Sequence, residues 1–150
     1  MAQTFTSLLV HVVFSTKHRA DLLTPEVELM LFAYIGGILK NEKSVLLASG
    51  GTMNHVHLLI SQSKNIALSD LLKEVKQSSS KWIKTQGKEF SDFQWQDGYG
   101  AFTIGKSQVE TIRNYFANQK IHHQKQDFQD ELREVLNRYD LGYDERYLWD

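Results

Sequence analysis

Two histidines separated by a single residue are the clearest sign of chemistry in this sequence of 150 residues. They lie in the run Asn54-His55-Val56-His57-Leu58-Leu59-Ile60, whose alternation predicts a strand with its apolar members in the core. Because residues i and i+2 of a strand point to the same side, His55 and His57 are predicted to project together. Two imidazoles on a rigid strand form two corners of a metal site. Taken alone, such a pair is more often two surface or half-buried histidines.

A tyrosine and a glutamine later in the chain have the spacing of one helix face. Tyr115 and Gln119 are four residues apart, and an apolar stripe beside them anchors the predicted helix to the body. The amide oxygen of Gln119 is a suitable ligand for a hard divalent cation such as magnesium or manganese. A tyrosine one turn away is placed to attack a phosphate that the cation polarises. The alternative is a tyrosine packed at the edge of the core and a solvated glutamine.

Composition restricts the class of protein. Hydrophobic residues make up 41% of the chain, which is enough for a core, and the absence of cysteine excludes thiolate metal sites. The sequence has neither an apolar run of the ~20 residues that span a bilayer nor a signal peptide, so we expect a cytoplasmic protein without a membrane partner. Residues 1–126 carry 14 Lys and Arg against 10 Asp and Glu, whereas residues 127–150 carry 3 against 8. A basic body with an acidic tail is compatible with a nucleic-acid surface on part of the molecule, and also with many enzymes.

The elements that must position these residues follow from apolar periodicity and from turn and cap residues. Thr24 is the predicted cap of the first helix, Ser69 that of the second, and residues 50–54 form the predicted turn between the second and third strands. The resulting order predicts one α+β domain over residues 1–150 with the ferredoxin-like split β-α-β plan. In this plan helices cover one face of a four-stranded antiparallel sheet, and extra C-terminal helices, including the tyrosine helix, follow. Strands are predicted at residues 7–15, 44–49, 55–61 and 100–104, and helices at 24–40, 69–85, 107–122 and 128–139, with an acidic helix and tail over 127–150.

Together these motifs resemble the single-tyrosine transposases of the HUH superfamily, which include insertion-sequence transposases and their REP-associated relatives. His55-Val56-His57 looks like the metal motif of that family, and Tyr115-Phe116-Ala117-Asn118-Gln119 looks like its Y-x-x-x-Q helix motif. The stretches at residues 11–19, 95–102 and 143–149 are also similar, so the likeness covers nearly the whole chain. Asn54 is a departure, because many relatives place an aspartate there. If that residue orients the imidazole, metal affinity differs in this chain.

The resemblance implies a complete catalytic scheme. His55, His57 and Gln119 would hold a divalent metal, Mg²⁺ or Mn²⁺, and Tyr115 would be the nucleophile that forms a 5′-phosphotyrosine and a free 3′-OH. It also implies single-stranded DNA with hairpins as the substrate and a homodimer as the assembly. The tyrosine helix would complete the site of its own subunit or that of its partner. No organic cofactor is expected.

Further candidates surround this predicted site. His11 faces away from its apolar neighbours and would support the metal site from behind if the first and third strands are adjacent, although a structural histidine is the commoner case. Asn54 has the same supporting position. His122 lies one turn after the Gln119 region and would meet metal or substrate, or lie with His123 at the surface. The predicted DNA contacts, for which a solvated surface is the alternative, are Lys17, Arg19, Lys73, Lys76, Lys81 and Lys84.

Two other functions compete with the transposase. A hairpin-binding protein without cleavage would keep the fold and the lysine face but leave Tyr115 idle. A small metal-dependent hydrolase would need a general base near the histidines, and the sequence has no H-x-x-E-H or H-E-x-x-H pattern to supply it. The presence of both histidines together with Tyr115 and Gln119 favours the transposase.

Overall fold

A four-stranded antiparallel sheet is the framework of the protein in the computed structural model, which describes residues 2–150. The strands are ordered β2-β3-β1-β4, so that β1 lies between β3 and β4. This order confirms the predicted ferredoxin-like plan and the adjacency of the first and third strands. The strands are β1 (Leu9–Ser15), β2 (Val45–Thr52), β3 (His55–Ser61) and β4 (Gly100–Thr103).

Two helices cover the first face of the sheet and form the main core with it. They are α1 (Pro25–Asn41) and α2 (Leu68–Ile83). Thr24 begins α1 as predicted, because its side chain accepts a hydrogen bond from the Val27 N–H at 3.4 Å. The predicted cap Ser69 is wrong, since α2 begins one residue earlier and its N-cap Ala67 has no side chain that can bond. The core is built from alternate residues of the central strands: Val10, Val12, Phe14, Val56, Leu58 and Ile60.

Three helices cover the opposite face, on which the histidines lie. They are α3 (Val109–Ala117), α4 (Gln119–His122) and α5 (Phe128–Arg138). The single helix predicted over residues 107–122 is therefore wrong in one respect, because Asn118 has φ −100° and ψ 11° and separates α3 from α4. Asp127 caps α5 by accepting from the Asp130 N–H at 2.8 Å. A second apolar cluster forms where α5 meets the sheet, from Val13, Phe102, Phe128 and Leu132.

The hairpin between β2 and β3 is tighter than the sequence predicts. The strand β2 continues to Thr52, so Gly50 and Gly51 belong to the strand and only Met53 and Asn54 form the turn. A Cβ atom on Gly50 would lie only 2.8 Å from Cβ of Phe116 and would also collide with the Phe116 carbonyl oxygen. The glycine therefore allows the end of α3 to lie directly on β2, which brings the tyrosine helix close to the sheet.

None of the helices within residues 2–150 is both long enough and apolar enough to cross a bilayer.

Candidate active site

The two histidines of β3 lie on the covered face of the sheet, side by side as predicted. Both side chains are fully buried, and their ring centroids are 5.1 Å apart. His55 Nδ1 lies 2.9 Å from Oδ1 of Asn54 and 3.0 Å from the hydroxyl of Thr52. Because the amide oxygen of Asn54 can only accept, this contact favours a proton on Nδ1 and leaves the lone pair on Nε2. Asn54 thus orients the imidazole at the position where the family resemblance suggested an aspartate.

His11 supports the second histidine from the neighbouring strand. Its Nε2 atom lies 2.9 Å from Nδ1 of His57, and the two rings stack with centroids 5.1 Å apart. Burial, together with the nearby His57, lowers the pKa of His11 to about 3, so its imidazole is neutral. Burial also lowers the pKa of His55 to about 4. In the tautomer in which neutral His11 accepts the Nδ1–H of His57, the Nε2 lone pair of His57 is directed into the site.

Tyr115 and Gln119, on either side of the break at Asn118, lie over the histidines. Phe116 is buried and anchors the end of α3 against His11 and His57, with ring centroids 5.1 and 5.3 Å away. The Oε1 atom of buried Gln119 lies 3.0 Å from Nε2 of His55. The ring of half-buried Tyr115 meets the His57 ring edge to face at 5.6 Å. All four residues that the resemblance assigned to catalysis therefore meet within one chain.

A glutamate that the sequence analysis missed lies at the centre of this arrangement. Glu131 of α5 is 3% exposed, and its Oε1 atom lies 3.1 Å from Nε2 of His57 and 3.5 Å from Nε2 of His55. Its Oε2 atom accepts hydrogen bonds from the Tyr115 hydroxyl and from Nε2 of Gln119. The sequence did contain a signal that Glu131 is buried, because it falls on the apolar stripe of its helix with Phe128 and Leu132. Acidic residues are almost never fully buried unless they are paired.

The charge on Glu131 shapes the electrostatics of the site. Burial disfavours that charge, but the imidazoles of His123, His55 and His57 that face the carboxylate outweigh burial and lower the pKa of Glu131. Burial and the neighbouring carboxylate raise the pKa of Tyr115 well above its ordinary value of 10.0. In this arrangement the tyrosine is a neutral phenol that donates its proton to Glu131. An additional positive charge would have to favour the phenolate before Tyr115 could attack.

The donor set fits a divalent cation. With protons on the two Nδ1 atoms, Nε2 of His55 faces Oε1 of Gln119, and Nε2 of His57 faces Oε1 of Glu131, so electron pairs confront one another at 3.0–3.1 Å. A cation between such atoms turns this repulsion into coordination. Ligand atoms held at metal–ligand bonds of roughly 2.0–2.2 Å are separated by about this distance. The same grouping of His55, His57 and Glu131 has the spacing of a metal site.

The predicted DNA contacts on α2 lie on the opposite face of the sheet from this cluster. Lys73, Lys81 and Lys84 are exposed along an open groove of about 690 Å³ between α2 and residues 94–99. Lys76 also lines this groove, but its ammonium donates to the carbonyls of residues 96, 97 and 98 at 2.6, 3.0 and 2.9 Å. Burial lowers the pKa of Lys76 to about 8, against the opposing charge of Asp97.

The two predicted contacts near the first strand have partners within the chain. Lys17 lies 3.9 Å from a carboxylate oxygen of Asp97. The guanidinium of Arg19 lies over the Trp149 ring, 5.4 Å from its centroid. Trp149 belongs to the C-terminal segment, which returns to the body because the Asp150 carbonyl accepts from the Gly98 N–H at 3.0 Å.

The chain is similar to known proteins both in sequence and in fold. A family model described as IS200-like transposase matches residues 4–119. The crystal structure of a candidate transposase from Deinococcus radiodurans R1 is similar with a TM-score of 0.63 and 22% identity, over 79% of this chain and 95% of that chain. A REP-associated tyrosine transposase bound to a REP hairpin has a TM-score of 0.61 and 13% identity, over 82% of this chain and 73% of that chain. No curated protein matches the sequence. At these identities the two structures demonstrate a shared fold.

Proposed function

Because the chain belongs to the IS200-like transposase family, we propose that it cleaves and rejoins single-stranded DNA at hairpin-containing ends of an insertion sequence, with Tyr115 as the nucleophile. Transposition is the activity that the family implies. The observation that carries the finer proposal is the convergence of Tyr115 and Gln119 on the His55–His57 pair, through the carboxylate of Glu131. Such a constellation has a nucleophile, a ligand set and a proton acceptor within hydrogen-bond reach of one another.

The proposed metal ligands are His55, His57 and Gln119, with Glu131 as a further oxygen donor. A divalent cation bound there, Mg²⁺ or Mn²⁺, supplies Lewis-acid polarisation of the scissile phosphate and positive charge near the phenol oxygen. The protein holds these ligands rigidly, because Asn54 and His11 engage the remaining imidazole nitrogens. The apolar rings of Phe116 and Phe128 flank the histidines and limit the access of water.

In the proposed reaction the Tyr115 oxygen attacks the phosphorus atom, and the bond from phosphorus to the 3′ oxygen breaks. The phenol proton leaves along the hydrogen bond to Oε2 of Glu131, and the departing 3′ oxygen takes up a proton. The resulting 5′-phosphotyrosine stores the energy of the broken bond. A different 3′-OH can therefore attack it and rejoin the strand without ATP.

We propose that the lysine groove of α2 carries part of the DNA. Its exposed members Lys73, Lys81 and Lys84 line this groove, and lysine ammonium groups can neutralise the phosphates of a DNA backbone. The similar REP-associated transposase is bound to a hairpin, which supports hairpin DNA as the ligand of this fold. Lys17 and Arg19 are proposed contacts at the end of β1, whereas the ammonium of Lys76 is already bonded to three carbonyls.

The decisive experiment is an assay for a covalent adduct. The protein is mixed with single-stranded oligonucleotides that carry the hairpins flanking its gene, with Mn²⁺ or Mg²⁺, and run on a denaturing gel. We expect a protein–DNA band that needs metal and is lost in Tyr115→Phe. The matched control is Tyr34→Phe, because Tyr34 stacks on Trp82 on the other face of the sheet. If hairpin and metal are bound but no adduct forms, the protein is a hairpin-binding module without cleavage.

The geometry supports assembly of the site in cis. Tyr115 and Glu131 of one chain reach the histidines of the same chain. Mixing Tyr115→Phe with His57→Ala distinguishes the two arrangements. In cis, neither variant nor their mixture forms the adduct. Recovery of adduct in a mixed dimer would instead place the tyrosine of one subunit in the site of its partner.

A further inference from the structure

Two histidines that the proposed reaction does not use lie against the same glutamate. His122 ends α4 and His123 follows it, and their Nε2 atoms lie 3.5 and 3.2 Å from Oε2 of Glu131. The His55–His57 pair approaches the other oxygen, Oε1, at 3.5 and 3.1 Å. The carboxylate of Glu131 therefore has one pair of imidazoles on each of its oxygens.

The nitrogens of the second pair have no hydrogen-bond partner. The Nε2 atoms of both His122 and His123 are inaccessible to water, yet neither makes a hydrogen bond of acceptable geometry within the described chain. The His123 side chain is only 10% exposed. Buried polar atoms without partners are rare and costly, so two of them aimed at one carboxylate oxygen indicate a ligand that is held there.

We propose that His122, His123 and Glu131 form a second divalent-cation site, which shares Glu131 with the His55–His57 site. The inference rests on the proposed function in so far as the first site is a metal site. Two imidazoles with a carboxylate favour Mn²⁺ or Zn²⁺ over Mg²⁺, because nitrogen ligands suit the transition metals. The three groups also have the mutual spacing of a metal site.

The proposed second site lies next to the nucleophile Tyr115. The oxygen that faces His122 and His123 is the one that accepts the hydrogen bond of Tyr115. Tyr115, His122 and Glu131 also line a cavity of about 210 Å³ on this side of the site. A cation held by His122, His123 and Glu131 would therefore place positive charge beside the oxygen that accepts the hydrogen bond of Tyr115.

The test is the number of Mn²⁺ ions bound by the full chain, measured by calorimetric titration and by electron paramagnetic resonance of free Mn²⁺. We expect two ions for the unmodified protein. His122→Ala/His123→Ala should bind one, and the exposed neighbour Gln124→Ala should bind two. Binding of a single ion by the unmodified protein, or of two ions by the double variant, would overturn the proposal.

Two additions keep the outcome interpretable. Circular dichroism checks that the double variant is folded, and His122→Ala alone repeats the test with a side chain that is 36% exposed and more tolerant of change. The titration contains no DNA, so its result is separate from that of the adduct assay. If the unmodified protein binds two Mn²⁺ ions but forms no Tyr115 adduct, the proposed function is wrong and the second metal site is still supported.

Discussion

Gly50 allows the end of the tyrosine helix α3 to lie directly on strand β2 of the sheet, and Gly50→Ala tests that role. The new Cβ would lie 2.8 Å from Cβ and 2.9 Å from the carbonyl carbon of Phe116, and it would also collide with the Phe116 carbonyl oxygen. Carbon atoms in ordinary contact are separated by about 3.5–4.0 Å, so the end of α3 must move by roughly 1 Å. The colliding groups are the backbone and Cβ, which no rotamer change can move.

Two energies decide the sign of this change. Overpacking costs about 1–3 kcal/mol, whereas replacing glycine with alanine gains about 0.4–1 kcal/mol by restricting the unfolded chain. We therefore expect Gly50→Ala to lower the free energy of unfolding by about 1–2 kcal/mol. A displacement of about 1 Å in a catalytic group can reduce the rate about 100-fold. We therefore expect the rate of adduct formation by Tyr115 to fall about 100-fold in Gly50→Ala.

Urea unfolding and the initial rate of adduct formation measure the two effects. The matched control is Gly37→Ala in α1, where an added Cβ has no neighbour within 4 Å. Alanine is the better helix former, so this variant should gain about 1 kcal/mol and keep its rate. Unchanged stability and an unchanged adduct rate in Gly50→Ala would refute the argument that this glycine positions the helix.

Three further changes test other contacts. His11→Ala removes the partner of His57 Nδ1 and should weaken Mn²⁺ binding about 10–100-fold in a titration. An unaltered affinity would mean that His11 does not support the metal site. Lys76→Ala leaves three carbonyls without their donor and should cost about 1.5–3 kcal/mol in urea unfolding, whereas exposed Lys73→Ala should change stability by less than about 0.5 kcal/mol. Ser79→Ala removes the buried acceptor of the Trp95 indole N–H at 3.0 Å and should cost about 1–3 kcal/mol, and a smaller loss would mean that the indole finds another acceptor.

Local periodicity was sufficient to predict the framework. The alternation in β1 and β3 assigns each residue to one face, so the projection of His55 and His57 to one side follows from the geometry of a strand. The start of α1 was equally predictable, because Thr24 and Pro25 act on the helix end next to them. Predictions failed where a distant element intervened, as at Gly50 and Gly51, which continue β2 because β3 and α3 pack against them.

The Tyr115–Gln119 spacing placed both residues on one helix face, but the break at Asn118 could not be read from it. The break follows directly after Phe116, which is buried against the sheet. The family resemblance identified the residues that act together, because its motifs come from proteins whose fold already brings those positions together. It did not include Glu131, which belongs to none of the motifs that carry the resemblance.

The sequence by itself determined which residues share a strand face or a helix face, since these relations depend only on backbone repeat distances of a few residues. Only the tertiary structure decided what those faces meet. Glu131 and His57 are 74 positions apart, and their contact exists because α5 packs across the sheet through Phe128 and Leu132. Packing of this kind is set by the shapes of many side chains at once, which periodicity does not encode. For that reason the histidine pair was visible in the sequence and the carboxylate between the histidines became visible in the fold.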